Sequence, residues 1–524
     1  MVLKKSRKRS RLFRLCILIF FPALILVLIF SGPVLAAPVS RFLSNEFGPN
    51  DFQISDMAAH LTPNYNAGNP SVAYNTARDE FLVVWNGPNQ HRTFGYWYQD
   101  TEIWYQQVRD TGEIIGVNEK LTQTGPYEDI TFFARNPDVA YNPFRDEYVI
   151  VWDDNGRECG EDKKFDIHGQ RLIYDEDGYL TPIGGIKDIS IMGPRPVSCS
   201  YHAYKPAVAY NWINNEYMVV WEGSHHAGDL VAGEFEIWGQ RLNAVTLDRV
   251  GDMVRISFMG PDGNTNYIAR NPDIDHNRYP SYNEYLVVWE GDTTGVSSLV
   301  DNEFEIWSER VTASGTRSGT LHLSDTGGLG NPSYDASEPA VVFNSNKNRW
   351  LAVWSADENY SPLGDQQFEI FGQQLKYNTS NNLVGVGPND FRISHMGPDG
   401  LLTYEAFYPA VVYDIVSNHY IVVWQGRDGI PPDADWFEIY GQRIQDEPTE
   451  AIGPHDFRIS DMGPAGNNDY FARRPAIASG GFEGYFLATW EGTDPPHTVI
   501  NDWEIFGQLF RSLTDTYLPL IYQD

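Results

Sequence analysis

Three arginines occupy equivalent places in a repeated segment of the chain, where they could bind an anion. Arg135, Arg270 and Arg473 each stand two residues before a proline that opens a repeated apolar strand. A guanidinium group binds carboxylate or sulfate through two parallel hydrogen bonds. We expect these side chains to face a common opening and to form a ligand-binding site. The alternative is that each arginine pairs with an acidic residue of a neighbouring loop.

An aromatic loop is a second candidate for ligand binding. Tyr96, Trp97 and Tyr98 follow one another in a segment that is acidic and polar in the other repeats. Exposed aromatic rings could stack on the apolar faces of sugars, because each ring offers a large flat apolar surface. The alternative is that these rings pack over a junction within the fold.

Motifs for catalysis are missing from the sequence. It contains no G-x-S-x-G elbow, no H-E-x-x-H metal pair and no phosphate-binding loop. We therefore expect no cofactor and favour a non-enzymatic extracellular module for binding or adhesion, with a glycan, an anionic polymer or a protein as its ligand. One alternative is a carbohydrate-active hydrolase or lyase that uses carboxylates at a channel mouth. A purely structural cell-surface protein is the other.

Carboxylate pairs leave calcium binding open as a further possibility. Examples are Asp153 with Asp154 and Glu290 with Asp292. Carboxylate oxygens suit calcium, but their spacing matches no calcium-binding loop. The alternative is that they are solvated surface charges.

Seven copies of one unit must position these residues. A P-x-[VI] motif precedes a hydrophobic run that ends in tryptophan, at a spacing of 15 residues in six copies and 17 in the fourth. The prolines are Pro70, Pro137, Pro206, Pro272, Pro339, Pro409 and Pro475. The tryptophans are Trp85, Trp152, Trp221, Trp289, Trp354, Trp424 and Trp490. The period of 66 to 70 residues is typical of a repeat architecture.

Each unit carries four short strand candidates and no helical periodicity. After the proline strand and the tryptophan strand come an E-I-W-G-Q-like strand and an F-R-I-S-like strand. This pattern predicts an all-β, seven-bladed β-propeller with four antiparallel strands per blade. An F-Q-I-S copy at 52–55 precedes the first unit, and the last unit lacks one. The N-terminal strand should therefore close the last blade and cover its unpaired edge.

Residues that recur in every blade are best explained as scaffold. This applies to the tryptophans, to the Glu/Asp-Ile pairs and to the glutamines of the third strand. The repeats P-x-V-A-Y-N, Y-L-V-V-W and I-x-G-Q-R-L resemble those of exported bacterial seven-bladed propeller proteins, over about residues 48–511. The resemblance implies the fold and export, and it implies no particular activity.

The N-terminus predicts export. A basic stretch to Arg14, an apolar run from Leu15 to Phe30 and small residues before Ala37 are typical of a signal peptide, with an uncleaved membrane anchor as the alternative. We therefore divide the chain into a leader at 1–37, a propeller at 38–511 and a tail at 512–524. We expect a secreted or cell-surface monomer without membrane contact beyond the leader.

Charge and cysteines agree with that location. Without the leader, 31 basic residues face 70 acidic ones, a net charge of −39. Such a surface repels nucleic acid. Cys159 and Cys199 then remain, and we expect them to form one disulfide across two loops of the second blade.

Overall fold

The computed structural model describes most of the chain between residues 46 and 511. The described ranges are 46–57, 66–89, 100–125, 131–156, 164–193, 199–293, 299–328, 330–357, 363, 366–427, 436–447, 449–463, 469–493 and 503–511. They contain 28 strands and one short 3-10 helix, Gly481–Glu483. No helix within these ranges is both long and apolar enough to cross a membrane.

The strands form seven antiparallel sheets of four, which confirms the predicted β-propeller. Strand β1 (Glu46–Gln53) precedes the first complete blade. Blade 1 contains β2 (Gly68–Asn75), β3 (Glu80–Pro88), β4 (Thr101–Arg109) and β5 (Ile114–Lys120). Blade 2 contains β6 (Ala134–Asn142), β7 (Glu147–Asp154), β8 (Asp166–Tyr174) and β9 (Leu180–Asp188). Blade 3 contains β10 (Ala203–Asn211), β11 (Glu216–Ser224), β12 (Phe235–Asn243) and β13 (Arg249–Arg255).

The remaining blades repeat this order. Blade 4 contains β14 (Ala269–Asn277), β15 (Glu284–Gly291), β16 (Glu305–Thr312) and β17 (Arg317–His322). Blade 5 contains β18 (Ala336–Asn344), β19 (Arg349–Asp357), β20 (Phe368–Tyr377) and β21 (Leu383–Arg392). Blade 6 contains β22 (Glu405–Asp414), β23 (His419–Arg427), β24 (Glu438–Gln445) and β25 (Glu450–Arg458). Blade 7 contains β26 (Phe471–Ser479), β27 (Tyr485–Thr493), β28 (Glu504–Arg511) and, at its outer edge, β1.

The proline strands form the inner wall of the ring. Each contacts the proline strands of the two neighbouring blades, and β26 contacts β2, so the circle is complete. The core lies between blades. One cluster, for example, joins Phe81 and Trp85 of blade 1 to Leu487 and Leu509 of blade 7. All seven repeated tryptophans are fully buried in such clusters, which explains why the tryptophan strands are apolar on both faces.

The recurring polar residues form hydrogen bonds between the third and fourth strands of each blade, as predicted for scaffold residues. In all seven blades the acidic residue of the third strand accepts a hydrogen bond from a serine or threonine that follows the fourth strand. Glutamines such as Gln106 and Gln442 donate to main-chain carbonyls at the register shift between these two strands. All seven blades therefore satisfy the acidic residue of the third strand in the same way.

The N-terminal strand closes the last blade, as predicted. Phe52 pairs with Gly507, and Gln53 pairs with Phe506. The Glu504 carboxylate accepts the Ser55 hydroxyl and the Met57 backbone N–H, the latter at 2.8 Å. These contacts reproduce the serine–carboxylate contact of the other six blades, so β1 is the missing fourth strand of blade 7.

Cys199 is disulfide-bonded, and Cys159 lies outside the described residues. The pairing of the two stays a prediction. Peptide mapping of the denatured, unreduced protein should find Cys199 linked to Cys159. The Cys199→Ser variant should release one reactive thiol and lose roughly 4 kcal/mol of stability, the value for a loop of about 40 residues. Two reactive thiols in the unmodified protein would contradict the pairing.

Candidate functional site

A polar cavity lies inside the ring, where the seven inner strands begin. It has a volume of about 630 Å³ and is lined by the first residues of all seven inner strands. Its charged lining comes from five blades. These residues are Asp138, Lys205, Asp273, Glu338 and Arg474. A concave space of this size with a few polar groups is the usual form of a ligand site.

A backbone bulge at the start of each inner strand determines which side chains reach this cavity. The residue before each repeated proline has a positive φ between 47° and 56° in all seven blades. These residues are Asn69, Asn136, Lys205, Asn271, Glu338, Tyr408 and Arg474. The register with the second strand shifts at the same point. Each of these seven bulge residues lines the cavity, whereas the residue before it does not.

The bulge corrects the expected position of the three arginines. Arg135, Arg270 and Arg473 each stand one place before a bulge residue, and none is among the residues that line the cavity. Each arginine instead faces the residue after the blade's tryptophan, across the inner strand pair. They therefore do not line this cavity together, and ligand binding by the three arginines stays a prediction.

Two of the arginines are neutralised, as the alternative reading anticipated. Arg135 pairs with Asp153 at 3.2 Å, and Arg270 pairs with Glu290. The acidic partner lies in the same blade and not in a neighbouring loop. Each guanidinium also stacks 4.1 Å from the centre of a phenylalanine ring, Phe165 or Phe304. Such a cation–π contact holds the side chain in place.

Hydrogen bonds at the bulges connect neighbouring blades around the ring. In six blades the backbone N–H of the bulge residue donates to a side-chain oxygen of the preceding blade. Glu338, for example, donates to Glu290 at 2.7 Å, and its own carboxylate accepts the Tyr408 N–H at 2.9 Å. Asp153 and Glu290, for which the sequence left calcium binding or solvated surface charge open, are acceptors in this inter-blade hydrogen-bond system.

Asp154 and Asp292 also serve the scaffold. Asp154 accepts the indole N–H of Trp152 at 2.8 Å, and Asp292 accepts the Ile268 N–H at 2.8 Å. No group of three or more potential metal ligands occurs in the described part of the chain.

Sequence reasoning missed the acids of the inner wall. The residue after the repeated proline is alanine or serine in five blades, but Asp138 in blade 2 and Asp273 in blade 4. Asp138 accepts the Ser71 hydroxyl at 2.7 Å and the Val208 N–H at 2.8 Å, so it touches both neighbouring blades. Asp273 accepts the Val341 N–H of blade 5 at 2.8 Å. The departure from alanine at an otherwise uniform position was the signal that could have revealed them.

Burial makes two of the cavity acids weak. It raises the pKa of Asp273 to about 7, and the negative charge of Asp138 acts in the same direction. Burial likewise raises the pKa of Glu338 to about 7, with a contribution from Glu290. Both groups can therefore exchange a proton near neutral pH.

The predicted aromatic site cannot be placed. Tyr96, Trp97 and Tyr98 lie outside the described residues, in the connection between β3 and β4. That connection belongs to a set of 10 to 13 residues per blade, whereas the turn between the first two strands of blade 1 has four residues.

No family model matches this chain, and no curated protein matches its sequence. Among solved structures, an α-L-arabinofuranosidase of Fusarium graminearum is similar at 10% identity and a TM-score of 0.37, covering 89% of this chain and 98% of that one. A family-43 endo-arabinanase of Bacillus licheniformis matches at 14% identity, with 64% and 100% coverage and a TM-score of 0.32. A Trypanosoma rangeli sialidase matches at 8% identity, with 90% and 58% coverage and a TM-score of 0.40. Likeness at this level assigns no activity to the chain.

Proposed function

We propose that the protein is a carbohydrate-active hydrolase or lyase whose reaction site is the polar cavity inside the ring. The observation that carries this proposal is the meeting of three carboxylates from blades 2, 4 and 5 in one cavity. Asp138, Asp273 and Glu338 line the same space of about 630 Å³. The proposal replaces the non-enzymatic module that the sequence favoured, because the sequence showed no such constellation.

The chemistry of glycoside cleavage requires two carboxyl groups in different protonation states. One donates a proton to the leaving oxygen, and the other acts as base or nucleophile. Asp273 and Glu338, with pKa values near 7, supply the proton donor. Burial raises the pKa of Asp138 as well. The hydrogen bonds from the Ser71 hydroxyl and the Val208 N–H oppose that shift by favouring the charged form, and we assign Asp138 the role of the ionised partner.

Substrate binding would use the rest of the cavity wall. Lys205 and Arg474 are positive, and Asn69, Asn136 and Asn271 offer amide groups that can donate to or accept from sugar hydroxyls. Every one of these side chains stands on a bulge that is hydrogen-bonded within the ring, so the wall is held rigidly before a ligand arrives.

Replacing the cavity acids should abolish turnover and leave the fold intact. We expect Asp273→Asn and Glu338→Gln each to lower kcat at least about 100-fold, the usual contribution of a general acid or base. The measurement is the release of reducing ends and of unsaturated products from a panel of neutral and acidic polysaccharides.

The matched control is Asp275→Asn. Asp275 lies two residues along the same strand and accepts the Phe343 N–H at 2.8 Å, just as Asp273 accepts that of Val341, but it does not line the cavity. It should therefore share any structural cost without the catalytic loss. Equal losses in the Asp273 and Asp275 variants would mean that Asp273 serves the ring and not the reaction.

Non-catalytic glycan binding is the second candidate. The observation in its favour is that Asp138, Asp273 and Glu338 all bond backbone N–H groups of a neighbouring blade, which is a sufficient structural reason for them. Binding of an oligosaccharide without product formation in the assay above would select this candidate.

A further inference from the structure

Blade 7 differs from the other six at the channel mouth. It carries two consecutive basic residues, Arg473 and Arg474, at the two positions before its repeated proline. In the other blades this pair contains at most one basic residue, as in Arg135-Asn136 and Tyr204-Lys205. Arg474 is the bulge residue, with a φ of 47°, and lines the cavity.

The two positive charges share a single carboxylate. Glu491 occupies the place that Asp153 and Glu290 hold in blades 2 and 4. Its Oε1 lies 3.3 Å from Nη1 of Arg474, and its Oε2 accepts the Asn69 N–H at 3.2 Å. Glu491 also lies opposite Arg473 in the strand register and acts electrostatically on it, so one carboxylate serves two arginines.

Arg473 has no ion-pair partner among the described residues. Its Nε is buried and makes no hydrogen bond. Its guanidinium carbon lies 4.4 Å from the ring centre of Phe471 and 5.5 Å from that of Phe437. The aromatic rings hold the flat group by its faces and leave its donor-bearing edge without an acceptor, which is the arrangement that favours binding of a planar anion.

Room for an anion exists beside this pair. The Arg474 side chain is 42% exposed, whereas Glu491 is 2% exposed. The equivalent position of the adjoining blade 1 is Gly68, where an added Cβ would lie 2.8 Å from the Glu491 Oε2. Glycine therefore allows the carboxylate to sit against the backbone, and position 68 itself adds no side chain over the arginines.

Glu338, another acid near this pair, does not remove the imbalance. Glu338 contributes to the environment of Arg474, but it makes no ion pair with either arginine, and its carboxylate accepts the Tyr408 N–H and the Ser355 hydroxyl. In a chain with nearly twice as many acidic as basic residues, two arginines that share one carboxylate are a specific arrangement.

We propose that Arg473 and Arg474 form an anion subsite at the channel mouth, which binds the carboxylate or sulfate group of an acidic glycan. This inference rests on the proposed function, since it names the substrate class of the same cavity. The ligand would be a uronic-acid or sulfated saccharide. Its neutral part would enter the cavity, and its acidic group would meet the two guanidinium groups.

Calorimetric titration should detect the subsite. The probes are a uronic-acid oligosaccharide, a sulfated oligosaccharide and a neutral oligosaccharide of equal length. The unmodified protein should prefer one of the acidic probes, and the preferred probe distinguishes carboxylate from sulfate. Arg473→Gln should weaken its binding roughly 10- to 100-fold, the value of a hydrogen bond to a charged group, and should not change the binding of the neutral probe.

Arg270→Gln is the matched control, because Arg270 has the same place in blade 4 but is paired with Glu290. We expect this variant to melt at a lower temperature, with unchanged affinity for the acidic probe. Arg473→Lys, which keeps the charge and loses the stacked plane, should bind with intermediate affinity and decides the matter if Arg473→Gln does not fold. Equal affinity of the unmodified protein for acidic and neutral probes would overturn the subsite, as would equal losses in the Arg473 and Arg270 variants.

The proposed enzymatic activity and the proposed anion subsite can be rejected independently of each other. Cleavage of neutral glycans without any effect of Arg473→Gln would retain the hydrolase and reject the anion subsite. Binding of the acidic probe that depends on Arg473, without any turnover, would retain the subsite and reject the enzyme.

Discussion

A chain that lacks residues 46–57 should aggregate or melt far below the complete protein. The deletion removes Phe52, Ile54 and Met57, which are buried between blades 7 and 1, and each is worth about 1.5–3 kcal/mol. It also leaves the buried Glu504 carboxylate without its Ser55 and Met57 donors. Together these losses are on the order of 10 kcal/mol, which is comparable to the whole stability of a typical protein. Thermal melting and light scattering are the measurements.

A permuted chain provides the control for this deletion. Glu46 pairs with Phe510, one residue from the end of β28, so a short turn can join Arg511 to Glu46. A chain in which residues 46–57 follow residue 511 in this way should regain the stability of the unmodified protein. If the deletion variant melts like the complete chain, β1 is not needed to close the ring.

The protein should become less stable as the pH rises from 5 to 8. Burial raises the pKa of Asp273, Glu338 and Asp390 to about 7 in the folded state, and none of the three has a cation in contact. The unfolded values are near 4. The folded state therefore binds more protons than the unfolded state between these values, and the stability they contribute at low pH is lost as the pH rises through 7. At about 1.4 kcal/mol per pKa unit, each group loses about 3 kcal/mol between pH 5 and its folded pKa, so the three together lose on the order of 8 kcal/mol.

Differential scanning calorimetry across this pH range tests the expectation. A triple variant, Asp273→Asn, Glu338→Gln and Asp390→Asn, should show a much flatter dependence, because the amides keep the hydrogen-bond acceptors and do not titrate. A stability that rises from pH 5 to pH 8 in the unmodified protein would mean that these carboxyl groups are ionised throughout.

The fold was predictable because the sequence contains seven copies of one structural unit. A proline, a tryptophan, an acidic residue and a serine or threonine recur at nearly constant spacing, and the contact between the acidic residue and the hydroxyl is the same in all seven blades. The closure by β1 was predictable for the same reason, since one F-Q-I-S copy stood before the first unit and one was lacking after the last. Repetition therefore identified both the elements and their order around the ring.

The cavity was less predictable because it depends on a single backbone angle. Alternation along a regular strand would place Arg135, Arg270 and Arg473 toward the ring axis. The positive φ of the following residue shifts by one position which side chain reaches the cavity. The sequence does not predict this angle, because asparagine, as at Asn136, favours positive φ only modestly and lysine, as at Lys205, does not favour it. Asp138 and Asp273 were visible as departures from alanine, but their meeting in one cavity follows from the ring and not from local sequence.

The pairing of β1 with β28 in blade 7 has a consequence for how copies of this chain interact while they fold. The backbone N–H of Asp51 and the side chain of Gln508 are hydrogen-bonded across 457 positions, whereas strands within the other blades are joined by short connections. Local hairpins form before such distant partners meet, so a nearly complete ring exists for a time with the edge of β28 uncovered. At high concentration, the β1 strand of another copy fits that edge as well as its own. The strand that closes one ring can thus link two, and exchanged dimers are the form of misassembly to which this architecture is exposed.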